Sequence, residues 1–325
     1  MITDGIININ KPQNMTSHDV VSIVRRTLGI KRVGHTGTLD PMATGVLPIA
    51  IGRSTRVIEY LDLDMKKYRC KLMLGIETDT QDIWGNVIKT LDTKSLKKEE
   101  ILKAFEPFKG LIDQKPPMYS AIKVNGKRLY EYARKGETVD VKSRKIYIKD
   151  LQIEEIDMEE SFVVFTVECT KGTYIRTICQ DVGSSLGCGA TMGSLVRIAS
   201  GRFLIEDAID LECFKEMDKE SLKKVVYKTE YPLTHFGKIV LNSDMGKKFV
   251  DGWHIPLELC EIIKEPEFKE KEFYIPIREE YKNAYNIYAD NNGNEEFLGV
   301  AFFNFKYKKL VADKVFFRGE NNADI

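Results

Sequence analysis

The sequence is poor in the residues that build metal and disulfide sites. Its four histidines are His18, His35, His235 and His254, none within an H-E-x-x-H pattern. Without paired Cys/His spacing, a dedicated zinc site is not expected. Its six cysteines, Cys70, Cys169, Cys179, Cys188, Cys213 and Cys260, are scattered singly and form no C-x-x-C. That excludes a disulfide framework and points to a reducing, cytoplasmic setting. No apolar run approaches the roughly 20 residues that span a bilayer, and the opening MITDGIININKP has no basic-then-apolar leader, so a membrane role is not expected. Neither G-x-x-x-x-G-K-[ST] nor G-x-G-x-x-G occurs, which argues against a bound nucleotide cofactor. Internal repeats and low-complexity tracts are missing too.

Net charge is also lacking: 49 basic residues balance 49 acidic ones across 325 residues. The balance hides two opposite regions. Residues 120 to 150 hold nine Lys/Arg against four acids, whereas residues 255 to 299 hold eleven acids against five bases. A local basic stretch can neutralise phosphates even in a neutral chain, although a solvated surface has the same composition. With 43% hydrophobic and 10% aromatic residues the chain can bury a large core, and its length suits one large domain and a smaller one.

Thr16 or Ser17 can cap a first helix, Asp19 suits its first turn, Val20, Val21, Val24 and Leu28 make an apolar face, and Gly29 ends it. Alternation predicts strands at 68–74, 146–153 and 162–169, with a helix over about 99–108. After a turn at Lys171-Gly172, helical spacing of Ile175, Ile178, Val182 and Leu186 predicts a helix ending at Gly187. Strands and helices mix without a regular βαβ repeat, so an α/β (α+β) fold around a mixed sheet is expected rather than a doubly wound one. From Tyr231-Pro232-Leu233 onward the chain turns to short β-like pieces, Lys238 to Leu241, Phe273 to Ile277 and Gly299 to Phe305. A domain boundary is placed at 232–237, and the tail from Gly319 to Ile325 is expected to be loose.

The densest unusual stretch runs from Gly34 to Pro48, GHTGTLDPMATGVLP. Its glycines permit tight backbone, while Pro41 pushes Asp40 into an extended conformation. A carboxylate held out on a stiff loop suits a nucleophile or general base. A phosphate cradle or an ordinary surface turn with Asp before Pro would use similar residues.

This stretch closely resembles the active-site motif G-H-T-G-x-L-D-P-x-A-T-G-x-L-P of the bacterial tRNA pseudouridine-55 synthases, the TruB family. Blocks in the same order agree: Asn10-Lys11-Pro12 with Thr16-Ser17, Lys67-Tyr68-Arg69, Gly75 to Asp82, Pro117 to Ala121, and Lys171 to Thr177. The resemblance covers about 10 to 205. It implies a catalytic domain over 1–235 on a mixed, largely antiparallel sheet, and a small C-terminal β-barrel-like PUA domain over 236–318. It also implies isomerisation of uridine to pseudouridine in the T loop (position 55) of tRNA, by base flipping and aspartate-dependent cleavage and re-formation of the glycosidic linkage. Such an exchange of bonds needs no cofactor. The expected partner is tRNA, through its T arm, and the expected state is a monomer.

Carried over residue by residue, the resemblance makes Asp40 the essential aspartate, attacking the ribose or assisting departure of uracil. Tyr68 would stack on the target base, although its strand position equally suits a core aromatic. Arg176 would pair with Asp40. Independently, its place in a helix's first turn sets a cation against the helix dipole, which calls for an anion nearby. His35 would stack near the target nucleotide, Leu195 would line the uracil pocket, Lys11 with Pro12 would brace the loop, and Asp82 would shape its far wall. The basic block from about 119 to 145 would fold over the RNA, whereas the acidity of the C-terminal segment departs from an RNA-binding module. Two other readings compete. One is a glycosidase-like hydrolase using Asp40 as one of two carboxylates; against it, no second acid sits in a comparable loop, and Glu77, Asp79 and Asp82 look more like a turn cluster. The other is a non-catalytic or guide-RNA-dependent RNA-binding protein.

Overall fold

A computed structural model describes residues 2–267, 278–291 and 293–316, without the side chains of residues 62 and 63. The expected strand Phe273 to Ile277 and the tail from Gly319 lie outside the described residues.

The first strand, β1 (Gly5–Lys11), and β3 (Thr44–Ile51) are buried at almost every position, which requires cover on both faces. They pair antiparallel, Ile6 opposite Ala50 and Ile9 opposite Leu47. The short β2 (Val33–His35) pairs with the far end of β3. The helix between β1 and β2, α1 (Ser17–Leu28), covers this side. Thr16 caps it: its hydroxyl accepts from Asp19 N at 3.1 Å, and the Asp19 carboxylate accepts from Thr16 N at 2.8 Å. Gly29, at φ 65°, ends it in the left-handed region. Val20, Val21 and Val24 pack on Leu47, Ile49 and Ile51, each such burial contributing about 1.5–3 kcal/mol.

β4 (Lys66–Leu74) begins at Lys66 and alternates buried and less buried residues. The large sheet, eleven strands among the described residues, orders its main path as 209–210, β1, β3, 190–200, β4, 162–169, 144–157 and 110–114. Its pairings are antiparallel except for 190–200 with β3 and 209–210 with β1. The mixed, largely antiparallel sheet is therefore as expected. The expected strand at 146–153 runs longer, Arg144–Asp157, with two irregularities in its register. The helix expected over about 99–108 is α-helical only over Lys98–Phe105. Its last turn tightens to a 3-10 turn at Glu106–Phe108, where Pro107 has no N–H to continue the α pattern. The helix Ile175–Ser185 packs on the large sheet in one core with Cys70, Leu72 and Phe165.

A second sheet, six strands among the described residues, holds 237–242, 255–256, 261–264, 284–291, 294–304 and 309–315. It is not separated from the first by a bare linker. Tyr60, Phe203, Leu233, Phe236, Tyr281, Val300 and Phe316 form one apolar cluster spanning both sheets, with the Tyr60 ring edge-on to Phe236 at 5.2 Å and to Tyr281 at 5.6 Å. Among the described residues no helix is long and apolar enough to cross a membrane.

Candidate active site

The stretch 34–48 leaves β2, turns through Asp40 and returns as β3. Its tip folds into a turn closed by Ala43 N donating to Asp40 O at 3.0 Å. Three buried side chains hold its backbone. Lys11 is fully buried, and its ammonium donates to Pro12 O (2.7 Å), Met15 O (2.6 Å) and Pro41 O (3.1 Å). Burial lowers its pKa to about 8, against the opposing pull of Asp40. Ser17, which could have been the helix cap, instead gives its hydroxyl to the loop, accepting from Leu39 N at 2.9 Å and donating to Leu39 O at 3.3 Å. Arg197, also fully buried, donates Nε to Val46 O (2.6 Å) and Nη2 to Gly37 O (3.1 Å), so one guanidinium holds both limbs of the loop. Gly45 sits at φ 104° directly against the 190–200 strand, and a β-carbon there would stand 2.2 Å from Arg197 O.

This scaffold presents Asp40 with its side chain 41% exposed, open to a substrate, while its partner Arg176 is 7% exposed. Arg176 Nε lies 3.1 Å from Asp40 Oδ2. The remaining guanidinium nitrogens donate to Thr80 O (3.0 Å) and Tyr119 O (2.9 Å), so its orientation is fixed at several points. The helix start that carries it is held in turn by Gln114, which donates to Tyr174 O at 2.9 Å and accepts from Tyr174 N at 2.8 Å.

Asp82 is more than a turn residue. One oxygen accepts from Thr80 Oγ1 at 2.7 Å and Trp84 N at 3.3 Å, and the other lies 3.6 Å from Arg176 Nη1. Asp82 thus leaves the turn cluster and joins the site, where two carboxylates share one buried guanidinium. Asp79 does belong to a turn, accepting from Asn86 N at 2.8 Å.

Tyr68 and Arg197 face each other across β4 and the 190–200 strand, as do Cys70 and Leu195. Tyr68 and Leu195 share a core cluster with Leu39 and Ala43 of the loop. Burial raises the Tyr68 pKa, the Arg197 guanidinium pulls it back, and the nearby Asp40 charge adds to the rise. The phenol stays protonated at neutral pH. His35 accepts from Gly37 N through Nδ1 at 3.2 Å and meets His18 edge-on at 5.4 Å. Burial, then His18, Arg197 and Lys66, lower its pKa to about 4, so it is a neutral plate rather than a cation at pH 7. Among the described residues no group of three or more His, Cys, Asp or Glu is placed to hold a metal ion.

All seven residues named from sequence therefore lie in or around one region. Sequence reasoning missed Arg197, Lys66, Gln114 and the loop-holding role of Ser17. Arg197 left a signal, a lone charge in the apolar run Leu195-Val196-Arg197-Ile198. Gln114 left none.

Comparison with known proteins gives the family and the fold. Residues 25–175 match the model of the TruB family pseudouridylate synthase N-terminal domain, and residues 176–234 match that of the tRNA pseudouridylate synthase B C-terminal domain. The chain is 42% identical over 298 residues to the tRNA pseudouridine synthase B of Alkaliphilus oremlandii, covering 91% of this chain and 97% of that one. It is 42% identical over 312 residues to the enzyme of that name from Clostridium kluyveri, covering 94% and 99%. Among solved structures, a chain of an H/ACA RNP bound to a substrate RNA containing 2'-deoxyuridine superposes with a TM-score of 0.70 at 22% identity, covering 97% of this chain and 85% of that one. A chain of a Cbf5-Nop10-Gar1 complex gives 0.69 at 24%, covering 96% and 83%. These two establish a shared fold; the sequence matches go further, and the chain belongs to the TruB family of pseudouridylate synthases.

Proposed function

We propose that this protein isomerises the uridine at position 55, in the T loop of tRNA, with Asp40 as its catalytic carboxylate. The observation that carries the reading is the Asp40–Arg176 contact at 3.1 Å on a loop whose backbone is tied down by Lys11, Ser17 and Arg197. Pre-organisation of that kind lowers the barrier without reorganisation at the moment of reaction.

The target nucleotide swings out of its stack, and Tyr68 receives the base. Stacking on an aromatic is worth about 1–3 kcal/mol and offsets part of the unstacking. The neutral His35 occupies space the base has left, and Leu195 lines the apolar side of the uracil pocket. The N1–C1' bond then breaks, the uracil turns, and C5 bonds to C1'. The C5 proton leaves and N1 ends protonated, so the isomerisation balances without a cofactor. Asp40 serves either by attacking the ribose or by assisting departure of the base; both roles need the same exposed oxygen pair. Asp82 holds the far side of Arg176. The basic segment 119–145 grips the T arm, the part over 1–235 acts as catalytic domain, and 236–318 acts as a PUA-like module. The protein works in the cytoplasm as a monomer.

The test is purified protein with a tRNA transcript carrying tritium at uridine C5. Tritium release by the protein alone is expected, with nucleoside mapping to the T loop. Asp40→Asn is expected to lower the rate at least ~1,000-fold while keeping RNA affinity within a few-fold. Unchanged turnover in that variant would sink the assignment. The shared guanidinium of Asp40 and Asp82 favours one second reading, two-carboxylate hydrolysis of the glycosidic bond. Free uracil in the product would select it over isomerisation.

A further inference from the structure

Lys66 precedes Tyr68 by two residues on β4, so both side chains leave the same face of the strand. Its ammonium and Nη1 of Arg197 both reach the open side of Gly37, three residues before Asp40. A methyl group on Gly37 would stand 2.5 Å from Lys66 Nζ and 3.6 Å from Arg197 Nη1. Arg197 Nη1 is left without an acceptor, although the Tyr68 hydroxyl lies beside the guanidinium, and the Lys66 ammonium makes no hydrogen bond or ion pair among the described residues. Two cationic nitrogens thus stand on the same side of Gly37, beside the catalytic loop.

The groups around Lys66 do not cancel this. Burial lowers its pKa to about 8, Arg197 and Lys171 push the same way, and Asp64 and Cys169 oppose them. Arg197 is fully buried and committed to the loop, whereas Lys66 is only partly buried, so an incoming anion meets Lys66 first. Adjacent like charges held in a folded protein raise its energy, and an anionic ligand placed between them removes that cost.

We propose that Lys66, with Arg197 behind it, seats a phosphate of the RNA backbone beside the flipped uridine. This rests on the RNA-modifying reading above and adds to it a backbone contact next to the chemistry, distinct from the basic segment 119–145. A contact there fixes the position of the sugar relative to Asp40, where a small displacement costs rate.

The experiment measures binding rather than turnover, in the Asp40→Asn background, so it stands apart from whether isomerisation occurs. Lys66→Gln and Lys66→Arg are compared by filter binding to a tRNA transcript over a range of salt. A synthetic T stem–loop is also used, with a single neutral methylphosphonate at each linkage flanking the target uridine in turn. Lys66→Gln is expected to weaken binding about fivefold to tenfold and to reduce the log–log salt slope by about 0.7–0.9, and Lys66→Arg to restore both. One methylphosphonate linkage is expected to weaken the lysine protein while leaving the Lys66→Gln variant unaffected. If Lys66→Gln binds as tightly with the same slope, or if every neutral linkage weakens both proteins equally, the proposal is overturned. Absence of pseudouridine formation by the parent protein carrying Asp40, with these binding results intact, would instead count against the isomerase reading.

Discussion

The loop 34–48 and the segment 119–145 both bear on the RNA in this reading, yet they are built in opposite ways. The loop has its carbonyls taken by Lys11 and Arg197 and its Leu39 amide by Ser17, all from elsewhere in the chain. The basic segment is held mostly by its own neighbours, a two-residue hairpin at Lys123–Val124 and Lys127–Arg128 and a helix over Leu129–Ala133, with Leu129 N donating to Ile122 O at 2.8 Å. It meets the site where Tyr119 O accepts from Arg176, and at its far end Arg144 and Lys145 join the large sheet opposite Gln114 and Asp113. Bond rearrangement needs oxygens placed to fractions of an ångström, so that geometry is fixed during folding. Gripping a polyanion needs charge within reach, which tolerates looser construction.

The contrast can be broken by substitution, and the largest effect should come from the loop's close approach to the sheet. Gly45→Val forces a side chain into the Arg197 backbone at an unfavourable φ and is expected to cost at least about 4 kcal/mol. Urea unfolding measures it, and a loss below 1 kcal/mol would show the loop to be less fixed than its bonds suggest. Next, Lys11→Met leaves three carbonyls without their donor, at about 1–3 kcal/mol for each that stays buried and unpaired. Turnover should fall further than RNA affinity, which steady-state kinetics beside filter binding would reveal.

A smaller effect concerns pH. The folded pKa of His35, about 4, lies below its ordinary 6.5, so the unfolded chain takes up the proton first as pH falls. The stability tied to neutral His35 is fully present above pH 6.5 and is lost between 6.5 and 4. His35→Asn should therefore flatten the pH dependence of the melting temperature in that window, and equal slopes for parent and variant would contradict the assignment. The smallest change in stability belongs to the basic segment. Lys127→Ala with Arg128→Ala should alter unfolding by no more than about 0.5 kcal/mol while reducing the salt slope of RNA binding by roughly 0.7–0.9 per lost phosphate contact. Unfolding of that double variant would erase the distinction drawn here.

What could be read beforehand follows from how each residue is partnered. α1 was legible up to the choice of cap, Thr16 or Ser17, because its capping residues and its apolar spacing are local, Thr16 with Asp19 and Val20 with Val24. The strands 5–11, 44–51 and 190–200 were not, although they form the middle of the large sheet. Cover on both faces removes the alternation that reveals a strand. Asp40 stood out through its glycine and proline neighbours, and Arg176 through its awkward place in a helix's first turn. Lys66 has the inward parity of Tyr68, Cys70 and Leu72, but the alternation was read only from Tyr68 onward, so its inward turn was passed over. Gln114 acts on Tyr174 across 60 residues of chain, a pairing that only the fold creates.

The aromatic contacts of Tyr60 with Phe236 and Tyr281 bear on how this chain can be handled. The composition change at 232–237 invites a shortened expression product ending near 235. Such a product would leave Tyr60, Phe203 and Val57 facing water and would take away the Val315 carbonyl that Arg56 reaches at 3.1 Å. An insoluble fragment is the expected yield, because the C-terminal sheet supplies half of a core that the N-terminal one cannot close alone.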